Sequence, residues 1–343
     1  HIGSFEAHEV ITEDGYILGL FRIPRINPKG VILLQHPVTV DSKIWLSEYK
    51  NSTAFIFWRA GYDVWLGNNR GTLYSKKHVN LTHTDPEFWD YSFHEMGVYD
   101  HHASIQYIKQ HVNTSRIIFL GHSMATTSSL IYAAMRSEDA ANSLKVIVNM
   151  APVSYMKYLK TPATIFNKLI EWNSILSHNA WYLKLGRLLF QNIPVKKWLI
   201  YIISFFCGWT PEQYDPQFIN LMVAQFGSEV SWKVYYHYAQ IFNSGGKFQM
   251  YDYAKNRNLK LYGTESPPLY PINKIKTPIY LFYSAQDIIS QPEDVEFLYD
   301  KLPKEAKIYG KVKFEGFNHI DYHYSKNRIK EVYDKILKFL HNI

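Results

Sequence analysis

Three residues far apart in the chain are of the types that ester chemistry needs: Ser123, Asp287 and His319. A serine hydroxyl is a poor nucleophile near neutral pH, so a histidine must take its proton. An aspartate must then hold the imidazole in the right tautomer and stabilise its cationic form. Ser123 lies in the stretch RIIFLGHSMA, residues 116–125. The apolar run Ile117 to Leu120 predicts a strand buried on both faces, and the residues from Thr126 to Arg136 suit a helix. Strand, Gly-x-Ser-x-small, helix is the pattern of a nucleophile elbow. Its turn is so tight that positions 121 and 125 must be nearly free of side chain. It holds the hydroxyl near a helix N-terminus, where backbone N–H groups and the helix dipole favour a developing oxyanion. Gly121 meets that demand, while Ala125 adds one methyl.

The other two residues also follow apolar strands. Asp287 comes after Ile279 to Tyr283 (IYLFY), and His319 comes after Val312 to Glu315. The chain order is therefore serine, aspartate, histidine, each at a predicted strand end. One oxyanion donor is expected from the N–H of Met124, directly after the serine. The second is expected from the loop after Val31 to Gln35, which reads His36-Pro37-Val38. Pro37 has no N–H, so Val38 is the candidate. No metal and no cofactor are expected. His101-His102 lies outside any H-E-x-x-H frame, and His78 and His83 lie in a loop.

The elements that must position these residues read in order along the chain. His8 to Pro24 predicts a hairpin turning at Glu13-Asp14-Gly15. Strands follow at Val31 to Gln35, Tyr62 to Leu66, Ile117 to Leu120, Val146 to Met150, Ile279 to Tyr283 and Val312 to Glu315. Helices are expected at Thr53 to Ala60, Ser92 to Gln110, after Ser123, and along Ile329 to Leu340 with Ser325 as its cap. This alternation predicts a mostly parallel sheet covered on both faces, with functional residues at the carboxyl ends of its strands. From Met156 to Asp252 it stops. Helical, aromatic segments come instead: Ile165 to Ile175, Trp181 to Phe190, Val195 to Phe206 and Phe218 to Tyr238. The expected organisation is a core over 1–155, a helical cap over 156–252 and the rest of the core over 253–343.

Composition narrows the function classes. With 343 residues, 47% of them apolar and 20% charged, the chain has ample core material and is not of disordered type. The net charge of +7 is scattered without a Lys/Arg block, which gives nucleic-acid binding no support. The longest apolar run, Trp198 to Trp209, falls short of the roughly 20 residues a membrane span needs. Cys207 is the sole cysteine, so no intrachain disulfide can form. Asn51, Asn80 and Asn113 each open an N-x-[ST] sequon, with Asn80 the best glycosylation candidate from its polar surroundings.

The segments EAHEVITEDGYILGLFRIPR, AGYDVWLGNNRG, DPEFWDYSFHEMGVYD, GHSMATT, SGGKFQMYDY and FNHIDY resemble blocks of the acid lipases, the group of gastric and lysosomal acid lipase and secreted insect lipases. The resemblance runs nearly end to end. It implies an α/β-hydrolase fold with a mostly parallel central sheet, helices on both faces and an inserted cap and lid. It implies hydrolysis of triacylglycerols or sterol esters, tolerance of acidic pH, and secretion or lysosomal delivery after removal of a signal peptide. It assigns Ser123 as nucleophile, Asp287 as acid, His319 as base, and Val38 and Met124 as oxyanion donors. The chain departs from the group's pattern at His36-Pro37-Val38, where His-Gly-Leu is usual, at GHSMA, where Gly-His-Ser-Gln-Gly is usual, and in lacking paired cysteines in the cap. The leading expectation is a serine esterase or lipase acting on lipid esters, at a lipid–water interface. The alternative is a lipase-derived carrier that holds a lipid or pigment with little turnover, and a lipid acyltransferase is a lesser third.

Overall fold

The computed structural model describes residues 5–160, 196–214, 221, 222 and 224–343. Among them, nine strands join in one sheet: β1 (Glu6–Ile11), β2 (Tyr16–Ile23), β3 (Gly30–Gln35), β4 (Tyr62–Gly67), β5 (Lys77–His78), β6 (Ile117–His122), β7 (Leu144–Met150), β8 (Ile279–Ser284) and β9 (Lys311–Phe314). The order across the sheet is β1-β2-β4-β3-β6-β7-β8-β9, with the short β5 paired to β2. The six strands from β4 to β9 in that order are parallel, and the β1–β2 hairpin adds antiparallel to β4.

Alternation along the strands divides the core in two. Leu33, Phe119, Ile147 and Leu281 face one apolar cluster, and their neighbours Ile32, Leu34, Ile118, Leu120, Val146, Val148 and Phe282 face the other. Both faces are therefore dry, which is why these strands read as unbroken apolar runs. Fully burying one such side chain is worth about 1.5–3 kcal/mol, so register is strongly specified.

Helices α1 (Thr53–Arg59), α2 (His102–His111, entered through a π-helical stretch Met96–His101), α3 (Met124–Met135) and α4 (Ser137–Ser143) cover the first half of the sheet. Helix α3 is buried along nearly its whole length. Next come α5 (Lys196–Cys207), α6 (Trp232–Asn243), α7 (Lys255–Tyr262), α8 (Pro292–Lys301) and α9 (Asp334–His341).

The expected segments Ile165 to Ile175 and Trp181 to Phe190 lie outside the described residues. The segment expected from Val195 to Phe206 corresponds to α5. That expected from Phe218 to Tyr238 needs correction: its last helix begins only at Trp232, because Ser231 caps it by accepting the N–H of Lys233 at 3.1 Å. Ser325 likewise does not cap the last helix. Its hydroxyl accepts from Asn327 N–H and bonds Gln213, while Glu331 N–H reaches the carbonyl of Asn327. Helix α6 is fixed to the core. Ser231 donates to the Trp89 carbonyl, Tyr238 bonds Thr127, and the buried His237 stacks on Phe93 while bonding Ser92 and the Gln249 carbonyl.

Candidate active site

Strand β6 delivers Ser123 into a strained turn. Its backbone lies at φ 55°, ψ −116°, a region that costs L-residues of order 1–3 kcal/mol. The surroundings hold it there. Ser123 N–H donates to the Met150 carbonyl of β7 at 3.1 Å, and the Ser123 carbonyl accepts from Thr126 N–H and from its hydroxyl.

The structure also accounts for Ala125. A Cβ added at Gly121 would lie 3.1 Å from the Ala125 methyl and 2.9 Å from the Phe119 ring. Glycine at 121 thus provides the space that the extra methyl at 125 takes up. Gly121→Ala is expected to cost about 1–3 kcal/mol in a thermal or denaturant melt through overpacking.

The parallel order β6, β7, β8, β9 places the ends of β8 and β9 beside the elbow. His319 Nε2 lies 2.7 Å from Ser123 Oγ, and His319 Nδ1 lies 2.9 and 3.1 Å from the two oxygens of Asp287. A carboxylate only accepts, so Nδ1 carries the proton and Nε2 presents its lone pair to the serine hydroxyl. Asp287 is fully buried, and its Oδ1 also accepts the N–H groups of Ile289 and Ser290 at 2.9 and 2.8 Å. The three sequence candidates are therefore brought into one hydrogen-bonded series.

The loop carrying His319 is pinned from two sides. His122 Nε2 donates to the His319 carbonyl at 2.8 Å, and burial pushes that imidazole well below its ordinary range, so it is neutral. The N–H of His319 donates to the carbonyl of Cys207, the last residue of α5. Asn318 Nδ2 donates to the carbonyl of Gly208. Gly208 packs so closely on the Gln286 carbonyl, one residue before Asp287, that no Cβ would fit there. The end of α5 is thus wedged between the aspartate and histidine loops. Desolvation pushes the half-buried Cys207 thiol up in pKa, so it is a poor thiolate.

The candidate oxyanion donors stand at adjacent strand ends, since Gln35 of β3 pairs with Gly121 of β6. The N–H groups of Val38 and Met124 have no hydrogen-bond partner among the described residues. The Val38 loop is held by His36. Its Nδ1–H donates to the Pro37 carbonyl at 2.7 Å and its Nε2 accepts Asn69 N–H at 3.1 Å, an arrangement only the neutral ring can make. Burial lowers the His36 pKa accordingly. The next residue, Arg70, is buried, bonds both Asp14 and Asp100, and lies 4.0 Å over the Tyr16 ring. Thr39, at φ 64°, accepts Gly227 and Ser228 N–H groups on its carbonyl. These partners were not foreseen from sequence: Asn69, Cys207 and Gly208 act through backbone groups, which no residue type announces.

Asn80 is exposed in a turn beyond β5. Asn51 is exposed at the end of a 3-10 turn, and Asn113 sits in a left-handed turn just after α2.

The alpha/beta hydrolase fold family matches residues 49–325, and the partial alpha/beta-hydrolase lipase region matches residues 4–49. The chain is 32% identical over 356 residues to gastric triacylglycerol lipase of Mus musculus, covering 98% of this chain and 88% of that protein. The chain belongs to the acid lipase family of α/β-hydrolases. It is with them a carboxylic ester hydrolase. Lipase member K of Homo sapiens is 31% identical over 359 residues, covering 97% of this chain and 86% of that protein. A carboxyl esterase from Bacillus coagulans superposes with a TM-score of 0.61 at 16% identity, covering 99% of each chain, and so shares the fold.

Proposed function

We propose that this protein is a serine lipase or esterase that hydrolyses carboxylic ester bonds of lipids, of the triacylglycerol or sterol ester type, through an acyl-enzyme. The observation that carries this reading is the series Ser123 Oγ, His319 Nε2, His319 Nδ1, Asp287, closed by bonds of 2.7 and 2.9 Å beyond the ends of the parallel strands β6, β8 and β9. Ser123 attacks the ester carbonyl as His319 takes its proton. The imidazolium is stabilised by the buried Asp287 carboxylate, whose own charge is held by two backbone N–H groups. The tetrahedral oxyanion is received by the free N–H groups of Val38 and Met124. His319 then protonates the leaving alcohol, and water repeats the sequence to release the acid. Loss of one oxyanion donor is worth about 3 kcal/mol of barrier, which is why the His36 and Thr39 contacts that set the Val38 loop matter to rate.

Residues 156–252 serve in this reading as a cap. Tyr201, Ile202, Phe205 and Trp209 on and just after α5 are exposed. That apolar face supports contact with a lipid–water interface. Among the described residues no helix is long and apolar enough to cross a membrane. Secretion or lysosomal delivery follows from the family resemblance, and the sequon at the exposed Asn80 supports a glycan there. A carrier that holds a lipid or pigment without turnover is the rival. The geometry favours the enzyme, because a binder gains nothing from a buried Asp–His–Ser series around a strained serine.

The test is a panel of glyceryl, sterol and nitrophenyl esters, together with labelling by a fluorophosphonate. Turnover of the lipid esters and a single label at Ser123 are expected. A folded protein that takes no label and instead retains a lipid would replace the enzyme by the carrier.

A further inference from the structure

A second cluster of chemically capable side chains lies at the opposite edge of the sheet. Glu6 and His8 are two apart on β1 and so share a face. Tyr107 and His111, one helical turn apart at the end of α2, meet them there. His8 Nε2 is 3.2 Å from Glu6 Oε2, and His8 Nδ1 is 3.1 Å from the Tyr107 hydroxyl. The His111 ring stands 4.7 Å from the His8 ring at 70°. Both imidazoles flank Trp65, at 5.6 and 4.9 Å. One donor atom from each of Glu6, His8 and His111 lies within 4.8 Å of the other two. The proposed ester chemistry uses none of them. Strand β1 is four places from β6 in the sheet, about 19 Å at ~4.8 Å per strand.

We infer that Glu6, His8 and His111 form a divalent-metal site of the zinc type that clamps edge strand β1 to the end of α2. Two imidazoles and one carboxylate, with water completing the coordination, suit zinc and its first-row neighbours better than calcium or magnesium. The partners of these residues fit that role. Without a metal, His8 Nε2–H donates to Glu6 and the Tyr107 hydroxyl donates to Nδ1. An ion would take the place of the Nε2 proton, and the same hydroxyl would then turn to accept Nδ1–H, as an outer partner does for a metal-bound histidine.

His111 is the last residue of α2, where the helix dipole favours a cation. Arg22 is the opposing charge. It bonds Glu6 Oε2 at 2.9 Å, but its other nitrogens chelate Asp63 at 2.8 to 3.2 Å. Glu6 Oε1 has no partner among the described residues, and it can take the ion while Arg22 stays on Asp63. Closure requires mainly the exposed His111 ring to turn inward.

The experiment uses the full chain stripped with chelator, then titrated with zinc chloride by calorimetry and with cobalt chloride by visible absorption. Melting is followed in parallel. Wild type is expected to bind one zinc with a rise in melting temperature and to show the visible bands of nitrogen- and oxygen-ligated cobalt. His111→Ala, at an exposed position, is expected to fold normally, to lose more than about tenfold in affinity and to lose the thermal shift. Tyr107→Phe is expected to weaken binding by about tenfold. Ester turnover of His111→Ala is expected to match wild type, so this test stands apart from the proposed hydrolysis. Absence of saturable binding, or binding by His111→Ala equal to wild type, overturns the site.

Discussion

Ser123→Ala is expected to lower ester turnover by about a million-fold while the protein melts close to wild type. The loss is large because every bond-making step passes through the hydroxyl. The melt barely moves because alanine keeps the Cβ and the backbone, and gives up one hydrogen bond, that from Oγ to His319 Nε2. A companion variant separates chemistry from fold. Ser123→Gly removes the Cβ from φ 55° and is expected to gain about 1 kcal/mol of stability, with equal loss of turnover. A serine merely sitting in an ordinary turn would show neither the activity loss nor the gain on glycine substitution. The three residues are further expected to act as one unit. Adding His319→Ala to Ser123→Ala should cost little more, because the second residue has no proton left to move. Residual turnover in Ser123→Ala above about one per cent of wild type would move the nucleophile elsewhere. Hydrolysis of nitrophenyl and glyceryl esters, measured beside denaturant melts of each variant, decides it.

The candidate site was readable in sequence because its residues follow strands buried on both faces. Such strands declare themselves as apolar runs, and parallel topology then gathers their carboxyl ends. Ser123, Asp287 and His319 needed no further information to be placed on one edge of the sheet. The hairpin was readable from Glu13-Asp14-Gly15 for a local reason: Gly15 takes φ 93° in the turn.

What stayed hidden depends on contacts without local periodicity. Helix α7 buries only Asn258 among its residues, so no apolar stripe marks it. Ser325 has the chemistry of a cap and accepts Asn327 N–H while donating to Gln213, but the helical ladder starts two residues later, where Glu331 N–H reaches the Asn327 carbonyl. The start of the helix expected from Phe218 is set instead by Ser231, whose hydroxyl accepts the N–H of Lys233. Nor did any ligand spacing point to a metal, because His111 meets Glu6 and His8 only after α2 has packed across β1.

The folded protein is expected to lose stability as pH falls below about 6.5, despite the acid tolerance its family resemblance implies. Burial holds His101, His237 and His323 down to about 3, and it lowers His36 and His122 as well. The unfolded chain takes up these protons near 6.5 and the folded chain only near 3. The contribution of each neutral histidine is therefore intact above 6.5 and is progressively lost as pH falls toward 3. At pH 5 the cost is about 2 kcal/mol for each of the three.

Asp100, Asp294 and Asp321 work the other way. Burial raises them to about 6, so the folded state protonates first and gains stability between pH 6 and about 3.8. Their gain at pH 5 is about 1.4 kcal/mol each. The three histidines outweigh the three aspartates by about 2 kcal/mol, and His36 and His122 add to the deficit. Against a total stability of about 5–15 kcal/mol this is a large fraction, and a melting temperature lower by roughly 5–10 °C at pH 5 than at pH 7.5 is expected.

His323 isolates the cause. Neither of its ring nitrogens has a hydrogen-bond partner among the described residues, and it sits against Trp45 and His122, 4.8 and 4.7 Å away. His323→Phe keeps an aromatic ring, gives up no hydrogen bond and removes one proton site. It should flatten the pH dependence by about 2 kcal/mol at pH 5. An unchanged pH slope in His323→Phe would exonerate the buried imidazole, and a wild-type melt that holds steady down to pH 5 would show that these histidines charge without unfolding the protein.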